Sequence, residues 1–291
     1  MRILNSPKVY LIARPQIVEE GLNAFLDEQG LRWPTPTEGV TEAERLVEVA
    51  GRCCYMSFGN KAGSKTNAQY LQNLIGFNAD GTWKSGPAHG SVCEHPTWSF
   101  LIVGAGRGFS HEQVRHRTGW AYSQLSTRYC DFEREEEEGT WEPGFCIPPL
   151  SQLSEETGSA FGEKLKQSQQ AYCELLKLIE NDLLNNPKFM QTLQPYPERE
   201  RKRMLRKAAR GAARDILPIA TEAIMVMSAN ARAIWNCIVL RGNEHAEAVI
   251  RDVYVQISKI MEKEMPSLFK GISYSPCWDG TEVVTMPRDK L

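Results

Sequence analysis

Residues 115–129 read Arg-His-Arg-Thr-Gly-Trp-Ala-Tyr-Ser-Gln-Leu-Ser-Thr-Arg-Tyr, and they form the most informative stretch of the chain. This run places Arg115, His116, Arg117 and Arg128 among hydroxyl and amide side chains, and it contains no acidic residue. Arginine binds phosphate and carboxylate groups through two parallel hydrogen bonds, and hydroxyl and amide groups can complete such a shell. The run therefore predicts a binding site for an anion of defined shape.

The chain as a whole has the composition of a globular enzyme. Of its 291 residues, 42% are hydrophobic and 24% are charged, and the formal net charge is −2. This near-neutral net charge argues against a general attraction to nucleic acids or membranes, but it does not exclude local basic patches. The apolar stretches are too short to span a bilayer and the N-terminus lacks a signal-peptide pattern, so we expect a cytoplasmic protein.

The cysteines and histidines do not follow the spacing of a metal site. Eight scattered cysteines without a Cys-x-x-Cys pair predict reduced, buried thiols. Four of the five histidines (His89, His95, His111 and His116) lie close together in the sequence, but without the regular ligand spacing of zinc sites. Each alone could be an ordinary core or surface histidine. With Arg107 nearby they favour a polyanionic ligand, and we predict no metal site.

Strand-like segments come first in the chain and long helices follow. Residues 8–13 and 97–103 are rich in β-branched and aromatic residues, which favours strands. Apolar periodicity predicts helices over residues 41–54, 67–77, 155–184, 198–214 and 219–264. Thr41 is the expected cap of the first of these helices. Whether the last one is interrupted at Gly242 is left open. This order predicts an α+β fold with an antiparallel or mixed sheet and long helices, in one domain spanning residues 1–291.

The connecting segments are recognised by composition. A Pro/Thr/Gly-containing loop is predicted near residues 34–40, a polar connector over 78–90, and a surface excursion at the acidic stretch 133–138 and the Pro-rich stretch 143–149. Gly104-Ala-Gly106-Arg-Gly108 superficially suggests a dinucleotide-binding loop, but the third glycine of that motif would fall at Phe109. We interpret this segment as a glycine-rich turn.

The helix predicted over residues 198–214 is strongly basic and has two readings. It begins Glu-Arg-Glu-Arg-Lys-Arg-Met-Leu-Arg-Lys and carries no aromatic residue for stacking on bases. A solvated amphipathic face, with its glutamates at the positive helix N-terminus, is the favoured interpretation. RNA binding through residues 198–214 stays as the remote alternative.

The region 228–245 combines apolar and polar residues in an unusual way. If it is one helix, Asn230, Arg241 and His245 share one face, while Arg232 and Asn236 lie together on another. Polar side chains on two faces are costly if simply buried. They could be satisfied amides and salt bridges, or the helix could serve two ligands or the sites of two subunits.

Several motifs together resemble the flavin-dependent thymidylate synthase family. Ser110–Arg117 and Tyr122–Tyr129 are similar to its defining motif. Further motifs of the family follow the expected order and spacing over roughly residues 90–265, and they are Glu94-His95-Pro-Thr97, Ala213-Arg214-x-x-Leu-Pro218, Asn230-Ala-Arg232, Asn236, Leu240-Arg241 and His245.

The resemblance implies an enzyme that methylates C5 of dUMP to give dTMP. Methylenetetrahydrofolate would supply the carbon, reduced FAD the hydride, and NADPH would reduce the flavin. The residues implied for FAD are His95, Thr97, Arg115, His116, Arg117, Asn230, Arg232 and Asn236. Those implied for the pyrimidine nucleotide monophosphate are Glu112, Gln124, Ser126, Arg128, Arg214 and Arg241.

Arg241 and Ser126 are the candidate catalytic residues. Ser126 could be imagined as a nucleophile, but no base beside it is evident, and a hydroxyl that binds phosphate is the better interpretation. If the chain is extended there, Ser126 and Arg128 face the same side. The resemblance also implies a homotetramer with sites at subunit junctions, and neither a nucleic acid nor a membrane is expected as a partner.

Three departures from the family pattern concern the substrate. An extra residue lies between Arg117 and Ser126, so that Gly119-Trp120 is expected to bulge, and Ala121 replaces a common serine. Glu112 stands where the family has a glutamine near the nucleotide. A carboxylate there repels phosphate but accepts hydrogen bonds from sugar hydroxyls. UMP or another uridine nucleotide is therefore the alternative substrate, and a histidine-centred metal hydrolase is a further rival.

Overall fold

The computed structural model describes residues 2–33, 40–59, 65–76, 82, 89–130, 132, 144–149 and 153–291. The predicted loop near 34–40, most of the connector over 78–90 and the acidic stretch 133–138 lie outside these residues. The strands are β1 Arg2–Leu4, β2 Lys8–Ala13, β3 Thr97–Val103, β4 Trp120–Gln124, β5 Gly144–Cys146, β6 Met225–Asn230, β7 Ser273–Pro276 and β8 Glu282–Thr285. The helices are α1 Glu19–Glu28, α2 Glu42–Tyr55, α3 Asn67–Ile75, α4 Arg107–Gln113, α5 Glu155–Leu184, α6 Pro187–Leu193, α7 Glu198–Ala213, α8 Ala231–Arg241 and α9 Ala248–Glu264, with 3-10 helices at Gly90–Glu94 and Arg214–Ile216.

Several elements follow their sequence patterns closely, and the α+β prediction is confirmed. Strands β2 and β3 occupy the two predicted strand segments, and helices α5 and α7 occupy the predicted long and basic helices. Along β3, Trp98, Phe100 and Ile102 are buried in alternation, as a strand with one covered face requires. Helix α2 begins with a capping box, in which Thr41 and Glu44 each accept the backbone N–H of the other.

The chain divides into two compact units built from interleaved segments. The first comprises Met1–Pro7, Val103–Glu112 and Ser123–Met225, and the second comprises Lys8–Ile102, Gln113–Tyr122 and Val226–Leu291. Residues 115–122 of the cationic run therefore belong to the second unit, and residues 123–129 belong to the first. The expectation of one domain over residues 1–291 stays a prediction.

In the first unit, helices α5 and α7 pack together over a small apolar core. The buried residues of this core are Phe132, Tyr172, Leu176, Ala209 and Ala213. Ala209 and Ala213 are one helical turn apart, so their short side chains let α7 approach α5 closely. This packing fixes the position of α7, which carries seven Lys and Arg residues.

Glu222 holds the start of the first unit together. Its buried carboxylate accepts a hydrogen bond from the Arg2 guanidinium at 2.7 Å and from the backbone N–H of Gly104 at 2.9 Å. Gly104 has a φ of 71°, and a Cβ there would lie 2.7 Å from the carbonyl oxygen of Ser6. The predicted turn is thus present at Gly104, whereas Gly108 already belongs to α4.

The second unit contains most of a four-stranded sheet with the order β2-β3-β6-β4. The hydroxyls of Ser99 and Ser228 are 2.7 Å apart on the two central strands. Helices α8 and α9 bury Ile234, Trp235 and Tyr254. None of the helices within the described residues is long and apolar enough to cross a membrane.

The helix prediction over residues 219–264 is wrong in its first third. Residues 225–230 form strand β6, in which Met225, Met227 and Ala229 are buried in alternation. The period of two in the burial pattern explains the strand, and the apolar side chains alone could not show it. The break at Gly242 that the sequence left open is present, because α8 ends at Arg241 and Gly242 is its C-cap residue.

Two short helices and two exposed thiols were not predicted. Helix α4 covers part of the family motif, and α6 begins with a proline in its first turn after the Asn186 cap, a favourable place for proline. All eight cysteines carry free thiols. The expectation of buried thiols is wrong for Cys53 and Cys54, which lie exposed near the end of α2.

The Glu222 carboxylate is expected to be a local determinant of stability. We expect Glu222→Ala to lower the free energy of unfolding by about 1–3 kcal/mol, because the buried Gly104 N–H loses its acceptor. Urea unfolding followed by circular dichroism measures this. The control is Glu198→Ala, an exposed residue of α7 paired with Lys202, and it should not change the midpoint. Equal midpoints for both variants would contradict the assignment.

Candidate active site

The side chains that the resemblance assigns to FAD all lie in the second unit. His95 and Thr97 flank Pro96 at the start of β3, and the Pro96 carbonyl accepts the N–H of Ala231 at 3.1 Å. This bond brings the segment 95–97 against the N-terminus of α8, where Asn230 is the N-cap residue. His95, Thr97, Arg115, Arg117, Arg232 and Asn236 are exposed, so their polar groups are available to a ligand.

Gly119 joins the Arg-His-Arg segment to α8. It has a φ of 75°, and a Cβ there would lie 2.7 Å from Nδ2 of Asn230. The N–H of Asn230 donates to the Gly119 carbonyl at 3.3 Å, while its Oδ1 caps the helix by accepting the N–H of Ala233 at 2.9 Å. Only glycine fits this position, which is the one where the sequence predicts a bulge.

Helix α8 presents polar residues on two sides, but it is shorter than expected. The prediction of one helix over residues 228–245 is wrong, because Asn230 is a cap and His245 lies in the turn after the helix. Arg232 and Asn236 are about 40° apart around the helix, and Arg241 lies about 180° from Arg232. Arg232 forms an ion pair with Glu94 at 2.6 Å, and since both side chains are about half exposed, an anionic ligand can compete for Arg232.

His116 and Arg241 form a pair that the sequence did not predict. The Nε of Arg241 donates a hydrogen bond to Nε2 of His116 at 3.0 Å. Burial lowers the pKa of His116, and the positive charge of Arg241 lowers it further. The imidazole is therefore neutral with its proton on Nδ1, and it orients Arg241 without neutralising the guanidinium.

A buried network fixes the backbone next to this pair. Gln113 is fully buried, and its side chain donates to the Tyr122 hydroxyl at 3.0 Å and accepts from the Tyr254 hydroxyl at 2.7 Å. The Tyr122 hydroxyl also lies 2.5 Å from the carbonyl oxygen of His116. Burial raises the pKa of Tyr122 to about 12, so it stays a hydrogen-bond donor. The signal available in the sequence was a glutamine inside the motif, and it was not given a role.

The residues assigned to the nucleotide lie in the first unit, except Arg241. Gln124, the last residue of β4, donates to the hydroxyl of Ser110 at 3.1 Å. Glu112 is half-buried on α4, and Arg214 is exposed in the 3-10 helix that follows α7.

Ser126 begins a turn and is not part of an extended segment. Its hydroxyl accepts the N–H of Arg128 at 3.4 Å, and its carbonyl accepts the N–H groups of Tyr129 and Cys130. Ser126 and Arg128 therefore do not lie on one side of an extended strand. Among the described residues, no carboxylate or imidazole forms a hydrogen bond with the Ser126 hydroxyl, which agrees with a role other than nucleophile.

Arg107 is a cation of this region to which the sequence assigned no individual role. Its guanidinium donates to the carbonyl of Leu125 at 2.8 Å, and its buried Nε has no hydrogen-bond partner among the described residues. Burial lowers the pKa of Arg107, and the nearby charge of Arg214 lowers it further. Two guanidinium groups close enough to repel each other favour an anion that both can bind.

A basic groove of about 620 Å³ lies along α7 and includes Arg128 in its lining. The N–H of the Arg210 guanidinium donates to the Tyr129 carbonyl at 3.0 Å, and the Lys207 ammonium lies 5.1 Å from the centre of the Tyr129 ring. A hydrogen bond from Lys207 and the surrounding cations lower the pKa of Tyr129. The groove is lined by Arg128, Tyr129, Arg199, Glu200, Lys202, Arg203, Arg206, Lys207 and Arg210.

The remaining histidines do not converge on a metal site. Within the part of the chain that the structure describes, no three His, Cys, Asp or Glu side chains are placed to hold an ion. The chemistry of the region is that of cations and neutral donors. Fold and site together define an α+β protein with a candidate site for large anionic ligands.

Comparison with known proteins gives this class a family. The family model described as thymidylate synthase complementing protein matches residues 38–267. A flavin-dependent thymidylate synthase from Mycobacterium sp. (strain KMS) is 34% identical over 281 residues, which are 96% of this chain and 95% of that protein. The enzyme of the same name from Corynebacterium diphtheriae is 31% identical over 91% of this chain and 92% of its own length.

Solved structures show the same fold. A UMP/dUMP methylase, PolB, from Streptomyces cacaoi bound with 5-Br dUMP matches with a TM-score of 0.57 and 16% identity, covering 93% of this chain and 96% of that one. Its structure with 5-Br UMP gives the same TM-score at 17% identity. The chain belongs to the flavin-dependent thymidylate synthase family, as its motifs predicted.

The pair formed by His116 and Arg241 makes a prediction about titration. We expect His116 to titrate below its ordinary pKa of about 6.5, with its neutral proton on Nδ1. The Arg241→Met variant should raise the pKa of His116, because it removes a neighbouring positive charge. Selective ¹⁵N labelling of histidine and NMR titration measure both quantities.

The control is Lys188→Met, which removes an exposed positive charge from α6 and should leave the titration of His116 unchanged. Because the folded pKa is lowered, the pair contributes stability above the unfolded pKa, and this stability is lost as the pH falls through the folded pKa. A His116 pKa at or above 6.5, or a proton on Nε2, would contradict the pairing.

Proposed function

We propose that the protein catalyses the FAD-dependent reductive methylation of C5 of a pyrimidine nucleotide, converting dUMP to dTMP. Methylenetetrahydrofolate is the carbon donor and NADPH the reductant. The observation that carries this proposal is the family match over residues 38–267, within which every assigned site residue lies. The relatives with 31–34% identity bear the name of this activity.

The second unit has donors suited to a flavin dinucleotide. The side chains of Arg115 and Arg117 are exposed, and neither guanidinium has a hydrogen bond to another described residue, so they can bind the pyrophosphate. Asn236 and Arg232 lie on one side of α8 and can donate to the ring system. Bound FAD would supply the hydride, while these residues hold and orient it together with His95, Thr97, His116 and Asn230.

The first unit has donors suited to a nucleotide monophosphate. The phosphate brings about two negative charges at neutral pH, which Arg128 and Arg214 can pair while the Ser126 hydroxyl donates a hydrogen bond. Arg107 adds a third guanidinium whose buried Nε lacks a partner among the described residues. Binding the phosphate would relieve the repulsion between Arg107 and Arg214.

Arg241 is the residue best placed to assist the chemistry on the pyrimidine. Its guanidinium is oriented by the hydrogen bond to His116, and an oriented guanidinium can donate a hydrogen bond to a carbonyl oxygen of the base. Hydride addition at C6 would leave negative charge on O4 and C5 of the ring, and a fixed cation beside that oxygen would stabilise this charge until C5 attacks the methylene carbon. His116 is thus a positioning residue for Arg241.

A second candidate substrate is UMP, and the observation that favours it is Glu112. This half-buried carboxylate lies on α4, in the same unit as Gln124 and Ser126. It can accept a hydrogen bond from the ribose 2′-hydroxyl, which dUMP lacks. We further propose a cytoplasmic homotetramer with sites at subunit junctions, on the family resemblance alone.

The absorption spectrum and the product test the proposed function together. We expect flavin bands after purification or after addition of FAD, and formation of dTMP from dUMP with methylenetetrahydrofolate and NADPH. A parallel assay with UMP decides between the two substrates. A protein that stays colourless with added FAD and binds RNA in a salt-dependent manner would overturn the proposal, and so would activity that is lost to chelators.

Replacing Ser126 separates phosphate binding from nucleophilic catalysis. We expect Ser126→Ala to raise the KM for the nucleotide by roughly 10- to 100-fold, since a hydrogen bond to a charged group is worth about 1.5–3 kcal/mol, and to leave kcat nearly unchanged. Steady-state kinetics measures the two parameters. Ser123→Ala, on exposed β4, is the matched control. A fall in kcat of about a thousandfold or more at unchanged KM would instead identify a nucleophile.

A further inference from the structure

The basic groove along α7 is left over once the flavin and nucleotide residues are assigned. Among its lining residues, only Arg128 belongs to the nucleotide set. Along α7 the groove follows Arg199, Arg203, Arg206 and Arg210, which are spaced by four, three and four residues and so form one row along the helix. With a rise of about 1.5 Å per residue, this row is about 16 Å long.

The side chains that line the groove are predominantly cationic. Seven cationic side chains and a single carboxylate, Glu200, line it, although the whole chain has a formal charge of −2. A solvated helix face is the interpretation that the sequence favours, but such faces more often carry both positive and negative side chains. Cations that are concentrated in one concave surface repel one another and attract an extended anion.

We propose that the basic groove binds the oligo-γ-glutamyl tail of the folate co-substrate. This inference rests on the proposed function, in which the folate must lie beside the nucleotide and hence near Arg128. Each γ-linked glutamate adds one carboxylate, and the two extra methylene groups lengthen its extended repeat to roughly 6 Å. That repeat is close to the helical pitch of about 5.4 Å, so successive carboxylates can pair with successive turns of α7.

The shape of the groove favours this ligand over a nucleic acid or a dinucleotide. Single-stranded nucleic acids are bound by aromatic side chains on which bases stack. The lining contains one aromatic ring, that of Tyr129, and the Lys207 ammonium lies over it. A dinucleotide concentrates its charge at a pyrophosphate, whereas the cations here continue over three turns of helix.

Direct binding tests the groove without turnover. The probes are p-aminobenzoyl mono-γ-glutamate and penta-γ-glutamate, titrated into the full-length protein by calorimetry at low and high salt. We expect the pentaglutamate to bind at least tenfold more tightly, and this advantage to shrink as salt screens the charges. In the double variant Arg203→Gln/Arg206→Gln, the affinity advantage of the pentaglutamate over the monoglutamate should fall by about five- to tenfold.

The matched control is Lys166→Gln/Lys188→Gln, which removes two exposed charges from α5 and α6 outside the groove. It should bind both probes as the unmodified protein does. Kinetics gives a second readout, in which Arg203→Gln/Arg206→Gln should raise the KM for pentaglutamyl methylenetetrahydrofolate and not that for the monoglutamyl form.

Each other outcome overturns the inference. These outcomes are equal affinity for the two probes, an equal loss in the control variant, a raised KM for NADPH alone, and RNA binding that depends on Arg203 and Arg206 without any effect of glutamate number. Failure to form dTMP with either folate would be a failure of the proposed function, and the calorimetric result would still decide whether the groove binds glutamate chains.

Discussion

The candidate site depends on fixing the direction of guanidinium groups before an anionic ligand arrives. Within the first unit, the like charges of Arg107 and Arg214 lie close enough to repel each other. The hydrogen bonds that orient three of the guanidinium groups go to neutral acceptors. Arg107 is held by the Leu125 carbonyl, Arg210 by the Tyr129 carbonyl, and Arg241 by the His116 imidazole. Each acceptor fixes a direction and leaves the charge in place.

The backbone is shaped to deliver these acceptors. Gly119 allows the chain to turn with a φ of 75° so that its carbonyl meets the N-cap of α8. Gln113 and Tyr122 then fix the segment that carries His116, because their hydrogen bonds satisfy polar groups in a buried place. The sequence predicts its extra residue relative to the family at Gly119-Trp120, and Gly119 is where the chain turns with a positive φ.

The sequence predicted the elements whose pattern is local. Strand β3 is recognisable from its apolar residues, and α2 from Thr41 and Glu44, because capping and strand composition are properties of a few neighbouring residues. Strand β6 was taken for helix, since apolar residues without polar alternation carry no period. The motifs also predict which arginines belong to the site, and this assignment stays a prediction.

What the sequence could not predict are contacts between distant residues. The bond from Arg241 to His116 joins positions 125 residues apart, and the bond from Tyr254 to Gln113 joins positions 141 apart. No spacing rule connects such pairs, although motifs supplied three of the four residues. The electrostatic state of the site depends on these contacts, because a neutral His116 follows from its burial and from Arg241 together. Residue types thus indicate the class of ligand, and long-range packing decides the charge of the side chains that bind it.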